Sequence, residues 1–210
     1  MPELSFVVTG VESRPLEATP QLGFQLHISN AHPDEEIHTV ILNCQLRLDP
    51  TKRTYNEEEQ RKLHDLFGEP SRWGHTLKSL MWTHSTITVP AFTDSIDVVL
   101  PAQCSFDFNI GATKYFYALE DGELPVVLLF SGTIFYQSPS GLLVSQIPWN
   151  QESSIRVPVA TWQEMMDHYY PNTAWFCLRR DVFDRLASYK SDQAIPTWEQ
   201  VMESLLNQEK

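Results

Sequence analysis

Most of the first 158 residues alternate between apolar and polar side chains with a period of two. Side chains on a β-strand point alternately to opposite faces, so this period predicts strands that bury one face and expose the other. The clearest such runs are residues 22–28, 40–48, 96–100 and 106–110. The alternation therefore predicts an antiparallel β-structure for this part of the chain.

Turn signals separate the predicted strands. The Asp121-Gly122 pair favours a tight hairpin, because both residues tolerate positive φ, and residues 138–141 favour a second turn. Between these turns, residues 126–136 are almost continuously apolar, which predicts a fully buried strand. Gly132 within it predicts a bulge or a close backbone approach. Short strands at this spacing are typical of a sandwich, so we predict a mainly β, antiparallel β-sandwich-like domain over residues 1–158.

One helix is predicted inside this β-region, near residues 56–67. Asn56 is suited to the N-cap position, and three glutamates follow it in the first turn, where negative charge meets the positive end of the helix dipole. Gly68 is typical of a helix C-terminus, and Pro70 prevents the helix from continuing. We expect this helix to cap one end of the sandwich.

After Pro158 the apolar period lengthens to about 3.6 residues, which predicts amphipathic helices. The helix starts are marked by predicted capping residues, namely Thr161 with Glu164, Asp181, and Thr197 with Gln200. We therefore predict a helical C-terminal segment, residues 159–210, packed on the β-domain. With this segment the fold class is α+β.

The formal net charge of −12 argues against two classes of partner. Binding to nucleic acid or to an anionic membrane surface requires clustered Lys and Arg side chains. The longest apolar stretch, residues 124–130, is much shorter than the roughly 20 residues of a membrane-spanning helix. The N-terminus also lacks the basic and apolar regions of a secretory signal. We expect no nucleic-acid partner, no membrane association and a cytoplasmic location.

The three cysteines, Cys44, Cys104 and Cys177, are far apart in the sequence and odd in number. This pattern matches neither a disulfide framework nor a metal-binding knuckle. Each cysteine has apolar neighbours, so we predict three buried thiols. Two arginines follow Cys177 and favour a lower thiol pKa, but Trp175 and Phe176 indicate a packed side chain.

The segment 162–168 holds the sharpest candidate for metal chemistry. Glu164, Asp167 and His168 are spaced i, i+3, i+4 and share one helix face, and carboxylates with imidazole at that spacing can ligate a metal. Alternatively, Glu164 serves the helix cap while Asp167 and His168 lie on the solvated face. We favour this second interpretation, because short motif matches often arise by chance. No metal site is predicted.

Motifs for covalent catalysis and for phosphate binding do not occur in the sequence. There is no Gly-x-Ser-x-Gly elbow and no glycine-rich phosphate loop. We therefore predict no catalytic residues and no cofactor, and we favour a protein that is not an enzyme.

Aromatic residues carry the remaining functional signal. Most belong to the core, with hydroxyl and indole groups at its rim, but an exposed subset would suit a protein interface, where Tyr and Trp dominate the binding energy. Residues 115–117 are expected to place aromatic side chains on both faces of one strand. The candidate binding surface comprises Tyr115, Tyr117, Asp121, Trp149, Tyr169 and Tyr170.

Several short segments follow one another in a recognisable order. They are residues 106–109, 112–116, 119–125, 132–136 and 147–149, followed by Trp162, Met166-Asp167, Tyr170-Pro171-Asn172 and Trp175. In this order they resemble a bacterial family known only as domain of unknown function 6084, closely over the C-terminal half and loosely over the N-terminal half. The resemblance implies no catalytic residue. It implies an assembly or accessory role associated with nickel–iron hydrogenases.

Three functional hypotheses remain open. The first is a non-enzymatic protein-interaction or assembly protein with an unidentified protein partner. The second is a small-ligand-binding protein or enzyme with a cleft between the β-domain and the C-terminal helices, around Tyr115, Trp149, Asp167 and His168. The third is a self-associating structural subunit, which would present a symmetric interface.

Overall fold

Antiparallel β-strands form most of the structure. A computed structural model describes residues 2–105, 110–173 and 177–208. The strands within these residues are β1 (Leu4–Ser13), β2 (Gln21–Asn30), β3 (Ile37–Leu48), β4 (Leu80–Val89), β5 (Ser95–Gln103), β6 (Glu123–Ser138), β7 (Gly141–Gln146) and β8 (Glu152–Pro158).

Helices interrupt the strands and follow them. They are α1 (Glu57–Lys62), α2 (His64–Phe67), α3 (Trp73–Thr76), α4 (Ile110–Ala118), α5 (Val159–Tyr169), α6 (Arg180–Asp192) and α7 (Trp198–Gln208), with short 3₁₀ turns at Pro50–Lys52 and Pro70–Arg72. In the part of the chain that the structure describes, no helix is both long and apolar enough to cross a membrane.

The strands form two antiparallel sheets. One sheet has the order β1-β2-β5, and the other has the order β4-β3-β6-β7, with β8 also paired to β6. The long strand β6 pairs with β3 along one edge and with both β7 and β8 along the other. This architecture confirms the predicted mainly β, α+β class.

The core lies between the two sheets, where alternate side chains of facing strands meet. Phe6 of β1 stacks on Phe130 of β6 with ring centroids 4.8 Å apart, and Phe24 of β2 meets the edge of Trp82 of β4 at 6.1 Å. The sheets also approach each other at their sides, since β1 contacts β8 and β4 contacts β5. The period-two pattern of the sequence thus corresponds to one buried face on each strand.

Gly132 shows why β6 and β3 can pair closely. Its φ is 145°, and a Cβ atom at this position would overlap the carbonyl oxygen of Ile41. Only glycine tolerates both conditions. Of the two predicted explanations for Gly132, a bulge or a close backbone approach, the structure shows the close approach.

The predicted helix near residues 56–67 is present as α1 and α2. Asn56 and Glu59 form a complete capping box, in which the Asn56 side chain accepts from the Glu59 N–H and the Glu59 carboxylate accepts from the Asn56 N–H. Gly68, with a φ of 71°, follows α2. The prediction of this helix and its two ends is confirmed, although Leu63 divides it into two short pieces.

The strand predicted around residues 115–117 is wrong, because these residues lie in α4. Ala112, Tyr115 and Phe116 are buried at the i, i+3, i+4 spacing of a helix. The aromatic content and its strand propensity hid that spacing, and burial against Trp82 and Trp162 decided the conformation. Residues 106–109 of another predicted strand lie outside the described residues.

Two of the predicted helix caps are also wrong. Thr161 lies inside α5, which begins at Val159 after Pro158, so Thr161 and Glu164 form no capping box. Asp181 lies in the first turn of α6 rather than at its N-cap. At α7, by contrast, the Thr197 hydroxyl accepts from the Gln200 N–H at 3.3 Å, as its predicted capping role requires.

The chain divides into two compact units, Met1–Asn172 and Thr173–Lys210. The first unit includes α5, which contacts β1, β2 and β8. In the second unit α6 contacts α7, and the rings of Phe183 and Trp198 lie 5.3 Å apart. The predicted boundary at residue 158 and the packing of the whole segment 159–210 on the β-domain stay predictions.

The close approach of β6 to β3 at Gly132 leads to a prediction about stability. Gly132→Ala should lower the free energy of unfolding by about 2–4 kcal/mol, because the new Cβ strains the backbone and collides with the Ile41 carbonyl. Urea unfolding followed by circular dichroism measures the change. Gly74→Ala is the matched control, since its Cβ meets open space, and it should leave stability unchanged within about 1 kcal/mol. Equal stability of the two variants would contradict this account of β6.

Candidate functional site

The six residues of the predicted binding surface lie on separate elements and differ in exposure. Tyr115 is completely buried, so its side chain contributes to no surface. Tyr169 and Tyr170 are half-buried at the end of α5, whereas Asp121, Tyr117 and Trp149 are exposed. Trp149 is the extreme case, with 94% of its side chain exposed.

The short helices and turns of residues 50–76, which lie between β3 and β4, are called the helical insertion here. The buried Tyr115 belongs to a chain of hydroxyl groups that joins α4 to this insertion. Its hydroxyl lies 2.6 Å from that of Tyr55, and the Tyr55 hydroxyl donates to the Pro50 carbonyl at 2.8 Å. Tyr55 has one hydroxyl proton, so Tyr115 is the donor between the two. Burial raises the pKa of Tyr55 to about 12 and holds that of Tyr115 far above its ordinary value. Both hydroxyls therefore stay protonated and structural.

Beside this chain lies a buried ion pair between Arg53 and Glu59. Their side chains are 8% and 2% exposed, and the guanidinium Nη2 is 2.5 Å from the carboxylate. The Glu59 carboxylate also accepts from the Glu120 N–H at 3.0 Å, and Arg53 donates to the Glu123 carbonyl at 3.2 Å. Because a buried charge is costly without partners, these contacts bind the helical insertion to the start of β6.

Two cavities of the described residues differ in size and lie away from the predicted ligand cleft. A groove of 480 Å³ lies open on the outer face of the helical insertion, and it is lined by Glu57, Gln60, Arg61, His64, Asp65 and Pro70. An enclosed space of 10 Å³ near Trp82 and Cys104 holds at most one water molecule. Neither is lined by Trp149, Asp167 or His168. The predicted ligand cleft around those residues stays a prediction.

The three metal candidates lie exposed on α5. The His168 imidazole Nε2 is 3.2 Å from the Pro15 carbonyl, to which it donates, and the neighbouring Tyr169 hydroxyl lies 2.8 Å from the carbonyls of Arg14 and Glu17. These contacts hold the loop between β1 and β2 against α5. No three His, Cys, Asp or Glu side chains come together as a metal-binding group within the described ranges.

The cysteines differ in their surroundings. Cys44 and Cys104 are buried as predicted, and burial raises the pKa of both thiols to about 12. Cys177 is exposed, so the prediction of a third buried thiol is wrong. Cys177 follows the first compact unit in the chain and takes no part in its core.

The strongest surface feature is a strand edge without charge. One residue in five is charged across the chain (20%), yet no residue from 124 to 151 is Asp, Glu, Lys or Arg. This stretch contains the outermost strand of the second sheet, β7, whose Leu142 and Val144 side chains are 59% and 57% exposed. We call β7 together with Trp149 the uncharged edge. The sequence analysis did not single out this edge, although the lack of charge from 124 to 151 is visible in the sequence.

The backbone of the uncharged edge also has N–H and C=O groups that point away from β6, and of these the Gln146 carbonyl accepts from the Ser145 hydroxyl at 3.5 Å. The Ile147 N–H donates to the Gly132 carbonyl at 2.9 Å at the end of the β6–β7 ladder. Hydrogen-bonded positions alternate along an antiparallel pair. The odd-numbered residues of β7 therefore bond to β6, and the even-numbered Leu142, Val144 and Gln146 turn their N–H and C=O groups outward. Such an edge can accept a further strand.

The hydroxyl chain predicts a pH-dependent stability change. Tyr115→Phe should lower the free energy of unfolding at pH 7 by about 0.5–1.5 kcal/mol, because Tyr55 loses its donor. The folded pKa of both tyrosines lies above the ordinary 10.0, so the unfolded chain deprotonates first and wild-type stability falls as the pH rises above about 10. Because Tyr115→Phe removes one of the two tyrosine hydroxyls, the free energy of unfolding of the variant should fall less steeply above about pH 10 than that of the wild type. Urea unfolding at several pH values measures both slopes.

Tyr117→Phe is the control for the measurement at pH 7 alone, because its side chain is 43% exposed but burial also raises the pKa of Tyr117. It should change stability at pH 7 by less than about 0.5 kcal/mol. If the free energy of unfolding of Tyr115→Phe falls above about pH 10 as steeply as that of the wild type, the assigned role of the Tyr115 hydroxyl is contradicted.

The contacts of His168 make a prediction about metal content. His168→Ala should leave the bound metal unchanged, because the imidazole is engaged with the Pro15 carbonyl. The variant should lose at most about 1 kcal/mol of stability with that hydrogen bond. Plasma mass spectrometry of both purified proteins measures the metal. A stoichiometric metal in the wild type that disappears in the variant would restore the ligand interpretation.

Comparison with known proteins identifies a family. No curated protein sequence matches the chain. Among solved structures, the chain is similar to the solution structure of a protein classed provisionally as late embryogenesis abundant (LEA), with 13% identity and a TM-score of 0.32. That likeness covers 75% of this chain and 72% of the other, and its score is too low to support any argument. The family model for DUF6084, described as a family of unknown function, matches residues 1–210, and the chain therefore belongs to this family.

Proposed function

We propose that this protein is a non-enzymatic interaction or assembly protein that binds a protein partner through the uncharged edge. One observation carries the proposal: β7 is an outermost strand of its sheet, and Trp149, which follows it closely in the chain, has a side chain that is 94% exposed. Strand edges bind proteins through main-chain hydrogen bonds, and exposed Trp side chains are typical centres of binding energy.

The two parts of the uncharged edge complement each other energetically. Burying the side chain of Trp149 contributes roughly 4–6 kcal/mol at the usual coefficient for apolar area. Association itself costs about 4–15 kcal/mol. Trp149 alone therefore supports weak binding at most, and the main-chain hydrogen bonds and apolar side chains of β7 are needed to make the interaction specific.

The acidic remainder of the protein fits this role. A net charge of −12 disfavours nucleic acid and anionic lipid as partners, so a protein is the partner class that the surface suits. The three free cysteines suit a reducing compartment, and we place the interaction in the cytoplasm. The resemblance to family 6084 supports an accessory role, and the hydrogenase association is part of the proposal on that basis alone.

A stoichiometric pull-down with matched variants tests the proposal. Tagged wild type, Trp149→Ser and Leu16→Ser are expressed in the native host and purified in parallel, with quantitative mass spectrometry of the recovered proteins. Leu16 is the control, because it is an apolar side chain that is 97% exposed on another loop. We expect wild type and Leu16→Ser to retain the same partner, and Trp149→Ser to lose it by at least about tenfold.

Two outcomes would contradict the proposal. One is a partner that Trp149→Ser retains at the wild-type level, which would place the interface elsewhere. The other is a wild-type protein that carries a small molecule in place of a protein partner, which would favour the ligand-binding hypothesis.

A further inference from the structure

We propose that the uncharged edge binds a second copy of this chain, by antiparallel pairing of β7 with β7 of the copy. This inference rests on the proposed function and names its partner. The dimer would extend the sheet β4-β3-β6-β7 across a two-fold axis into the same sheet of the copy.

Within the described residues, β7 lies at the end of its sheet, with β6 as its neighbouring strand. At one side of the sandwich β1 contacts β8, and the Val8 N–H donates to the Ser153 hydroxyl at 3.0 Å. At the other side β4 contacts β5. The other terminal strands of the two sheets thus face one another, whereas β7 extends beyond β8 along the same edge of β6.

The sequence of β7 is suited to pairing with itself. It has the residues GLLVSQ, without proline, lysine or any other charged side chain that natural edge strands use to prevent pairing. The outward N–H and C=O groups belong to Leu142, Val144 and Gln146. If Val144 lies opposite its own copy, Leu142 faces Gln146 on both sides of the axis. Every outward backbone group of the three central pairs then finds a partner.

Charge distinguishes a second copy from a basic partner. Two copies of net charge −12 repel each other wherever their acidic faces meet. The stretch from 124 to 151 carries no charge, so two copies can approach there with the least repulsion. A basic partner protein would gain most of its electrostatic attraction at the acidic faces and little at this uncharged edge.

The interface is small, and this sets the expected affinity. Six residues of strand and one Trp per copy are fewer than the roughly 20–30 residues a side of a standard interface. We therefore expect a reversible dimer with a dissociation constant on the order of micromolar. Salt screens the repulsion between copies, so dimerisation should strengthen as salt is raised.

Sedimentation velocity on the full chain tests this inference at about 50 mM and about 500 mM NaCl, where screening differs strongly. We expect a concentration-dependent dimer that is tighter at the higher salt. Val144→Glu places two carboxylates opposite each other at the axis and should weaken the dimer by at least about tenfold. Val7→Glu makes the same charge change on β1, where Val7 is 51% exposed, and should dimerise like the wild type.

A cross-linking experiment keeps the test independent of the charge change. Val144→Cys in a Cys177→Ser background should give a covalent dimer with a short bis-maleimide, because the two thiols would lie near the axis. Val7→Cys in the same background should form the same reversible dimer but give no covalent product, because its thiol lies on β1, away from the axis. Circular dichroism of each variant verifies folding, and these exposed positions should tolerate the substitutions.

The outcomes separate this inference from the proposed function. A protein that stays monomeric at both salt concentrations, or a dimer that Val144→Glu leaves intact, would overturn β7 self-pairing. If such a protein still loses its host partner through Trp149→Ser, the proposed function stands and the edge accepts a different protein. A salt-strengthened dimer that only the Val144 variants alter would establish the second copy as the partner.

Discussion

The strand β6 is the element on which the rest of the structure depends. It pairs with β3 on one side and with β7 and β8 on the other, so three strands of one sheet are positioned by a single segment. Its Phe130 stacks on Phe6 and connects that sheet to the facing one. The close approach to β3 requires a residue without a Cβ atom at Gly132. A change there would disturb the pairing of β6 with β3.

The same strand explains why the surface is divided electrostatically. β6 is buried between neighbouring strands and carries no charge beyond its first residue, Glu123. The uncharged stretch continues through the hairpin into β7, which lies at the border of the sheet and is no longer buried. An apolar composition that suits a central strand thus reaches an exposed edge. This continuity explains why an exposed strand edge lacks charge, and it is the physical basis of the proposed interaction surface.

The polar groups near α4 and the helical insertion serve the architecture. Arg53 and Glu59 hold the insertion to the start of β6, and Tyr55 and Tyr115 hold it to α4. Except for the Arg53 Nε atom, their buried polar atoms have hydrogen-bond partners, and these residues line neither the 480 Å³ groove nor the 10 Å³ space. Titratable side chains with strongly raised pKa values often mark active sites, but here burial within the core accounts for them.

The sequence by itself determined much of the local structure of this protein, although not the helix α4. The period of two predicted the sandwich, the residues around Asn56 and Gly68 predicted the helical insertion, and the family resemblance was correct, because each depends on short-range patterns. Only the tertiary structure decided which aromatic side chains are available for binding. Tyr115 and Trp149 both belong to the predicted binding surface, yet one is buried and the other is 94% exposed. Exposure depends on contacts between segments far apart in the chain, as does the position of β7 at the border of its sheet, and local patterns do not contain those contacts.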